Sequence, residues 1–238
     1  MTIDYAELAT WLGLNQSLLL VAPHADDETI GCGGLLAHAA AAGIDCHVVV
    51  LTDGAASHAE SPSWPRAARV DVRHRECAAA LKILGVQQAP IFLDLPDAET
   101  STLPHPLRES TAVRLADEID RVQPDIVLTT WRREPHCDHR FAFAIATEAQ
   151  IASRHGPRLV EYTVWTPITG TALDQPRDNE TQCRLLNIER VRERKIEALH
   201  AHRSQLGHVF TDALTGFTLT SDLIAKMTTR HERYDVGS

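Results

Sequence analysis

Hydrophobic and polar positions alternate along this chain in blocks, and the sharpest boundary comes early. Leu18-Leu19-Leu20-Val21-Ala22 is a continuous apolar run of the kind that forms a strand buried on both faces. Pro23 ends its pairing by removing a backbone donor, and His24-Ala25-Asp26-Asp27-Glu28 follows at once. Before it, Tyr5, Leu8, Trp11 and Leu12 fall near a helical period, which predicts a short amphipathic helix over 4–14. After it, Gly31-Cys32-Gly33-Gly34 gives way to a Leu- and Ala-rich helix closed by Gly43. A second buried strand is predicted over Cys46–Thr52, then a loop at Asp53-Gly54. A helix opened by Pro65 and closed by Gly85 leads to a third strand at Ile91–Leu93. A helix from Leu107 to Val122 precedes the fourth strand, Asp125–Trp131, which breaks into Arg132-Arg133-Glu134-Pro135-His136-Cys137-Asp138-His139-Arg140.

Strands and helices alternating at this spacing predict βαβ units and a mostly parallel sheet with helices on both faces. The expected architecture is α/β, a Rossmann-like doubly wound sheet in strand order 3-2-1-4-5. In that order the first and fourth strands are neighbours, and the crevice at their carboxyl ends is where such sheets bind ligands. The two polar clusters, about 110 residues apart in sequence, then meet.

Composition narrows the reading. The 238 residues, 44% of them hydrophobic, suffice for one substantial core, and one domain over 1–238 is expected, with no internal repeat or linker. No run of eighteen apolar residues occurs and the first residues lack a signal-peptide pattern, so a soluble cytoplasmic protein without an integral membrane segment is expected. The net charge of −9 disfavours nucleic acid and anionic membranes as partners. Five scattered cysteines without a C-x-x-C pair suggest neither a disulfide framework nor a thiolate zinc site. Thirteen histidines tilt the balance slightly toward metal chemistry.

His24 and Asp27 are three apart, as are His136 and His139, and such pairs can converge from a tight turn or a first helical turn. Two imidazoles and a carboxylate form a ligand set for a catalytic zinc that leaves positions open for water and substrate. The expected ligands are His24, Asp27 and His139. Asp26 is then the candidate general base for a zinc-bound water, and His136 the oxyanion donor or the acid for the leaving amine. Asp138 is expected to orient an imidazole, and Glu28 to orient or start a helix. If zinc-bound water and protonated His136 both matter, kcat/KM should rise and fall around neutrality. The plainer alternative is that Asp26-Asp27-Glu28 is an acidic first helical turn favoured by the helix dipole.

Pro23-His24-Ala25-Asp26-Asp27-Glu28 resembles the (A)HPDDE signature, and His136-Cys137-Asp138-His139 the HPDH signature, of the PIG-L/LmbE-like metal-dependent de-N-acetylases. Thr52-Asp53-Gly54, Arg73-x-x-Glu76, Leu84-Gly85, Leu95-Pro96-Asp97 and Lys195-x-x-Ala198-Leu199-x-x-His202-x-Ser204-Gln205 extend the likeness over about residues 17–206. The resemblance implies removal of an N-acetyl or other N-acyl group from an amino-sugar conjugate. It implies zinc, or Fe2+ or another divalent metal, on His24, Asp27 and His139, with Asp26 as base and His136 as acid or oxyanion donor. It adds Arg73 and Asp97 as substrate contacts, a small-molecule substrate, and homo-oligomers as frequent in the family. Ala25 and Cys137 stand where the family usually has prolines. Glu134 stands where some members carry a tyrosine that assists the transition state.

The rest of the chain says less. Arg158–Trp165 alternates as a further strand, and 168–181 is a polar segment that could cover the site. A helix from Ile188 to Leu206 reads as a solvated face with i,i+4 ion pairs, His200, His202 and His208 as structural or surface residues, and Phe210 onward as a short tail or a further helix. Three other functions match parts of the pattern. A dinucleotide site, with Gly31-x-Gly33 and Asp53, lacks the third glycine and sets carboxylates against a pyrophosphate. A Ser-His-Asp hydrolase lacks its G-x-S-x-G elbow. A non-catalytic metal- or carbohydrate-binding module stays open, separable by zinc content measured alongside amidase turnover.

Overall fold

Each apolar block of the first 160 residues becomes a parallel strand, and each amphipathic block a helix. The computed structural model describes residues 1–177 and 179–237. In chain order the elements are β1 (Thr2–Ile3), α1 (Tyr5–Leu12), β2 (Ser17–Ala22), α2 (Asp27–Ala41), β3 (Asp45–Thr52), α3 (Arg66–Leu84), β4 (Ile91–Leu95), α4 (His105–Val122), β5 (Ile126–Thr130), α5 (Cys137–Ala152), β6 (Arg158–Tyr162), α6 (Thr166–Thr169), β7 (Thr181–Asn187), α7 (Arg192–Ala201), α8 (Ser221–Met227) and β8 (His231–Gly237).

The eight strands form one sheet in the order β1-β7-β8-β6-β5-β2-β3-β4. Its order therefore differs from 3-2-1-4-5: the block β4-β3-β2-β5-β6 continues through β8 and β7 to β1. Both pairings of β8, with β6 and with β7, are antiparallel, and the other pairings are parallel. The region expected as a tail or a further helix supplies a helix, α8, and also an unexpected interior strand, apart from Ser238, which lies outside the described residues. Alternation in His231-Glu232-Arg233-Tyr234-Asp235-Val236-Gly237 is disguised because one of its inward positions is a glutamate. Glu232 is buried and pairs with buried Lys195 of α7 at 2.8 Å.

Alternate residues of β2 feed two cores. Leu18 and Leu20 pack with α2, α3 and α7, whereas Leu19 and Val21 pack with α4 and α5. A strand apolar on both sides cannot fix its own register by alternation. Polar groups at its two ends do so. Asp125 Oδ2 accepts the N–H groups of Asn15, Gln16 and Ser17 at 2.8, 2.6 and 3.1 Å, and Pro23 O accepts both the N–H and the hydroxyl of Thr52 at 2.9 Å. Leu18, Leu19 and Leu20 consequently pair with Ile126, Val127 and Leu128, which brings the ends of β2 and β5 side by side.

The glycines expected to precede a helix lie inside α2. A Cβ on Gly31 would sit 2.3 Å from the Tyr162 ring, and one on Gly34 2.3 Å from Ile188. Close approach to the sheet, rather than loop geometry, requires them. The helix expected over 188–206 is shorter: α7 ends at Ala201, the backbone turns at His202, and a 3-10 turn spans Arg203–Leu206. Glu76 of α3 takes the Ser204 N–H at 2.8 Å and its hydroxyl at 2.5 Å, which withdraws that donor from a continuing helix. Among the described residues, no helix is long and apolar enough to cross a membrane.

Candidate active site

Two strand-to-helix joins, β2 to α2 and β5 to α5, lie next to each other at the carboxyl edge of the sheet. The first turn of α2 carries Asp27, and the first turn of α5 carries Asp138 and His139 behind His136 at its N-cap. One carboxylate oxygen gathers the expected ligands: Asp27 Oδ2 lies 3.0 Å from His24 Nδ1 and 3.1 Å from His139 Nε2. Nitrogens of His24, His136 and His139 all lie within 4.8 Å of one another.

The far nitrogens of both expected ligand imidazoles face carboxylates. His24 Nε2 is 3.1 Å from Asp138 Oδ2 and 3.2 Å from Asp97 Oδ1, and His139 Nδ1 is 3.3 Å from Glu134 Oε2. Asp138 thus meets an imidazole, as expected, and is held in turn by Thr100 Oγ1 at 2.5 Å and Ala98 N at 2.8 Å. Burial alone would lower the His24 pKa, but hydrogen bonds to Asp138, Asp27 and Asp97 raise it well above the usual imidazole range. Burial likewise opposes a charge on His139, yet Asp27 and Glu134 raise it to about 9. Burial would raise Asp27, and His139 and His24 draw it well below the usual carboxylate range. This surplus of buried negative charge calls for a cation at its centre. Neither ring nitrogen of His139 makes a well-directed hydrogen bond, although the ring is fully buried. A nitrogen left without a partner beside a carboxylate and a second imidazole fits a divalent metal.

Asp26 has φ 152° and ψ −26°, a left-handed backbone that favours glycine. Its N–H donates to Glu28 Oε2 at 2.9 Å, and its carboxylate lies 3.3 Å from Arg73 Nη2. The same guanidinium donates to Ala25 O at 2.6 Å and Gly54 O at 3.2 Å, so Arg73 clamps the strained turn. Burial first, then the Asp27 charge, push the Asp26 carboxyl up to about 6 against the opposing pull of Arg73, His202 and His24. Glu28 is fully buried and meets His202 Nε2 at 3.2 Å, which makes His202 a structural partner of this turn.

A cavity of about 250 Å3 opens onto this cluster. His24, Asp26, Asp27, Arg73, Asp97 and His136 line it, and His139, Asp138 and Glu134 lie behind the wall. His136 Nδ1 accepts the Asp138 N–H at 3.3 Å, which leaves its proton on Nε2. Burial, followed by repulsion from His24 and His139, lowers its pKa and keeps the ring neutral. The far wall went unread in the sequence: Trp165 and Phe217 stand there edge to face, with ring centroids 5.5 Å apart, beside Gln205 and Ser57. Trp165 ends the predicted fifth strand and Phe217 lies in the presumed tail, so a lone aromatic in each segment was the only signal. The polar segment 168–181, of which Asp178 is outside the described residues, does not line this cavity. Its Ile168 and Gln175 border instead a larger groove of about 460 Å3 on α6, α8 and β8, which holds none of the candidate residues.

An open, mostly parallel α/β sheet with a buried imidazole–carboxylate centre at the strand ends defines a Rossmann-like protein whose side-chain cluster fits a divalent cation. The chain belongs to the PIG-L family, whose model, described as GlcNAc-PI de-N-acetylase, matches residues 19–150. A 1D-myo-inositol 2-acetamido-2-deoxy-alpha-D-glucopyranoside deacetylase of Mycobacteroides abscessus is 30% identical over 234 residues, covering 79% of this chain and 81% of that protein. A 4-oxalmesaconate hydratase of Pseudomonas putida is 35% identical over 148 residues, covering 58% of this chain; the match spans about half of that protein, 53%. A deacetylase solved in complex with teicoplanin has the same fold, with a TM-score of 0.70 at 20% identity over 94% of this chain and 99% of that one.

Proposed function

We propose that this protein, acting as one domain, is a zinc-dependent hydrolase that removes an N-acetyl or related N-acyl group from an amino-sugar conjugate. The observation that carries the reading is Asp27 Oδ2 within 3.1 Å of nitrogens on both His24 and His139, with Asp26 beside them on the cavity wall. His24, Asp27 and His139 hold the metal; the same donors would also take Fe2+. A bound divalent cation supplies acidification of water and polarisation of the amide carbonyl.

The chain's own groups supply the rest. Asp26 accepts the proton of the attacking water and returns it to the amine nitrogen as the C–N bond breaks, releasing the carboxylic acid and the free amine; a carboxyl raised to about 6 suits that exchange at neutral pH. The Nε2–H of neutral His136 donates to the carbonyl oxygen as charge develops there. Asp138 and Asp97 hold the His24 ring from its far side, which fixes the tautomer. Arg73 acts mainly through Asp26, because its amino groups are taken up by Asp26, Ala25 O, Gly54 O and Ser57 Oγ. Trp165 and Phe217 offer an apolar wall to the face of a sugar ring.

Hydration of an unsaturated carboxylate is a second reading, favoured by the identity to the hydratase. A carboxylate substrate would need a cationic side chain in the cavity, and the guanidinium of its lining, Arg73, is already engaged by Asp26, Ala25 O, Gly54 O and Ser57 Oγ. The test is a panel of N-acetylglucosamine conjugates assayed for amine release, run alongside 4-oxalmesaconate assayed for hydration, with zinc added and removed. Zinc-dependent amine release is expected, and Asp26→Asn should keep its zinc while losing about 10²–10⁴-fold in turnover. Hydration without amine release, or full turnover in Asp26→Asn, would sink the proposal.

A further inference from the structure

Glu134 stands two residues before His136 but does not reach the cavity. It is fully buried at the end of the turn after β5, where its own N–H donates to Trp131 O at 3.0 Å. Arg140 clamps that turn through Glu134 O and Pro135 O at 2.8 and 2.6 Å. The carboxylate collects three consecutive backbone donors: Val164 N and Thr166 N reach Oε1 at 2.9 and 3.1 Å, and Trp165 N reaches Oε2 at 2.8 Å. The same Oε2 lies 3.3 Å from His139 Nδ1, an ion-pair contact in which the N–H is not aimed straight at the oxygen. A carboxylate with no solvent contact is costly to bury unless such donors compensate it. The partners are unlike: one is an expected metal ligand, the others are the backbone that presents Trp165 to the cavity.

We infer that Glu134 is a positioning residue, a buried strut joining His139 of the metal centre to the 164–166 backbone that sets the Trp165 wall. The inference rests on the proposed ligand set of His24, Asp27 and His139. A carboxylate on the far nitrogen of a ligand imidazole fixes its tautomer and raises its basicity, and losing such a partner costs about 10–100-fold in metal affinity. Here the partner's remaining valences are spent on the substrate wall. Ring orientation at the metal and indole position at the cavity therefore move together. Glutamine would keep an acceptor for Val164 and Thr166 but turn an NH2 group toward the Trp165 N–H and the His139 Nδ1–H, setting donor against donor.

The test uses the full-length protein and zinc alone. Zinc affinity is measured by competition with a chromophoric chelator, and the Trp165 contribution to emission, taken as the difference from Trp165→Phe, is followed as zinc is added. Wild type should bind zinc with a change in Trp165 emission. Glu134→Gln, with wild-type circular dichroism, should bind about 10–100-fold more weakly and lose that emission change. Glu134→Asp, one methylene short but still anionic, should fall between them and serves as the reading if the glutamine variant does not fold. Wild-type zinc affinity in either variant, or weakened zinc binding with the Trp165 response intact, overturns the strut alone. A wild type that takes up no zinc overturns the metal reading and the strut with it.

Discussion

Asp26 shows how much one residue's setting decides. Its φ of 152° costs on the order of 1–3 kcal/mol for a residue with a side chain, and Arg73 and Glu28 hold it there. With its carboxyl raised to about 6, the base form prevails only above that pH. kcat/KM should therefore climb about tenfold per unit on the acid side and level off above about 6, the limb moving lower once a cation sits beside Asp27. Because His136 is held neutral as a donor, no fall near neutrality is expected from it, unlike the bell expected from a protonated imidazole. A pH–rate profile that declines between about 5 and 7 would refute both assignments. At this scale the two motifs made His24, Asp26, Asp27, His136, Asp138 and His139 legible. Trp165 and Phe217 were not, because an aromatic side chain carries no mark of the wall it will line.

Elements here are joined by buried charge as much as by apolar packing. Glu232 of β8 accepts the N–H groups of Gly34 and Leu35 in α2 at 2.7 and 2.9 Å, the Tyr234 hydroxyl at 2.8 Å, and the Lys195 ammonium of α7. Lys195→Met leaves that carboxylate buried without its cation and should cost about 3–5 kcal/mol in urea unfolding, with Lys195→Met/Glu232→Gln regaining most of it. An unchanged urea midpoint in the single variant would contradict this. Between α4 and the end of α5, Asp120 accepts from Ser153 Oγ, Arg154 N and Nε, and His155 N, which lowers its carboxyl to about 2. A depressed carboxylate stabilises above its unfolded value of about 3.9, and the effect is lost as pH falls through about 2. The Tm deficit of Asp120→Asn relative to wild type should accordingly shrink between about pH 5 and 2; a constant deficit would assign the effect to packing.

For the whole molecule, β8 is the strand that closes the sheet. It pairs with β6 on one side and along its full length with β7 on the other, so among the described residues the half holding β1 and β7 is hydrogen-bonded to the β2–β5 centre of the sheet only through it. Ending the chain at Thr229 should abolish cooperative unfolding, seen as loss of a sharp calorimetric transition; a truncated protein melting as wild type does would refute this. Sequence alone determined the blocks that become β2 to β6 and their helices, and both polar clusters, because apolar runs and their breaks are local properties of the chain. Tertiary structure decided where β8 enters the sheet, which aromatics face the cavity and what Glu134 binds. Those outcomes depend on partners distant in sequence, such as Lys195 for Glu232 and the 164–166 amides for Glu134, and no local pattern encodes a partner that only folding supplies.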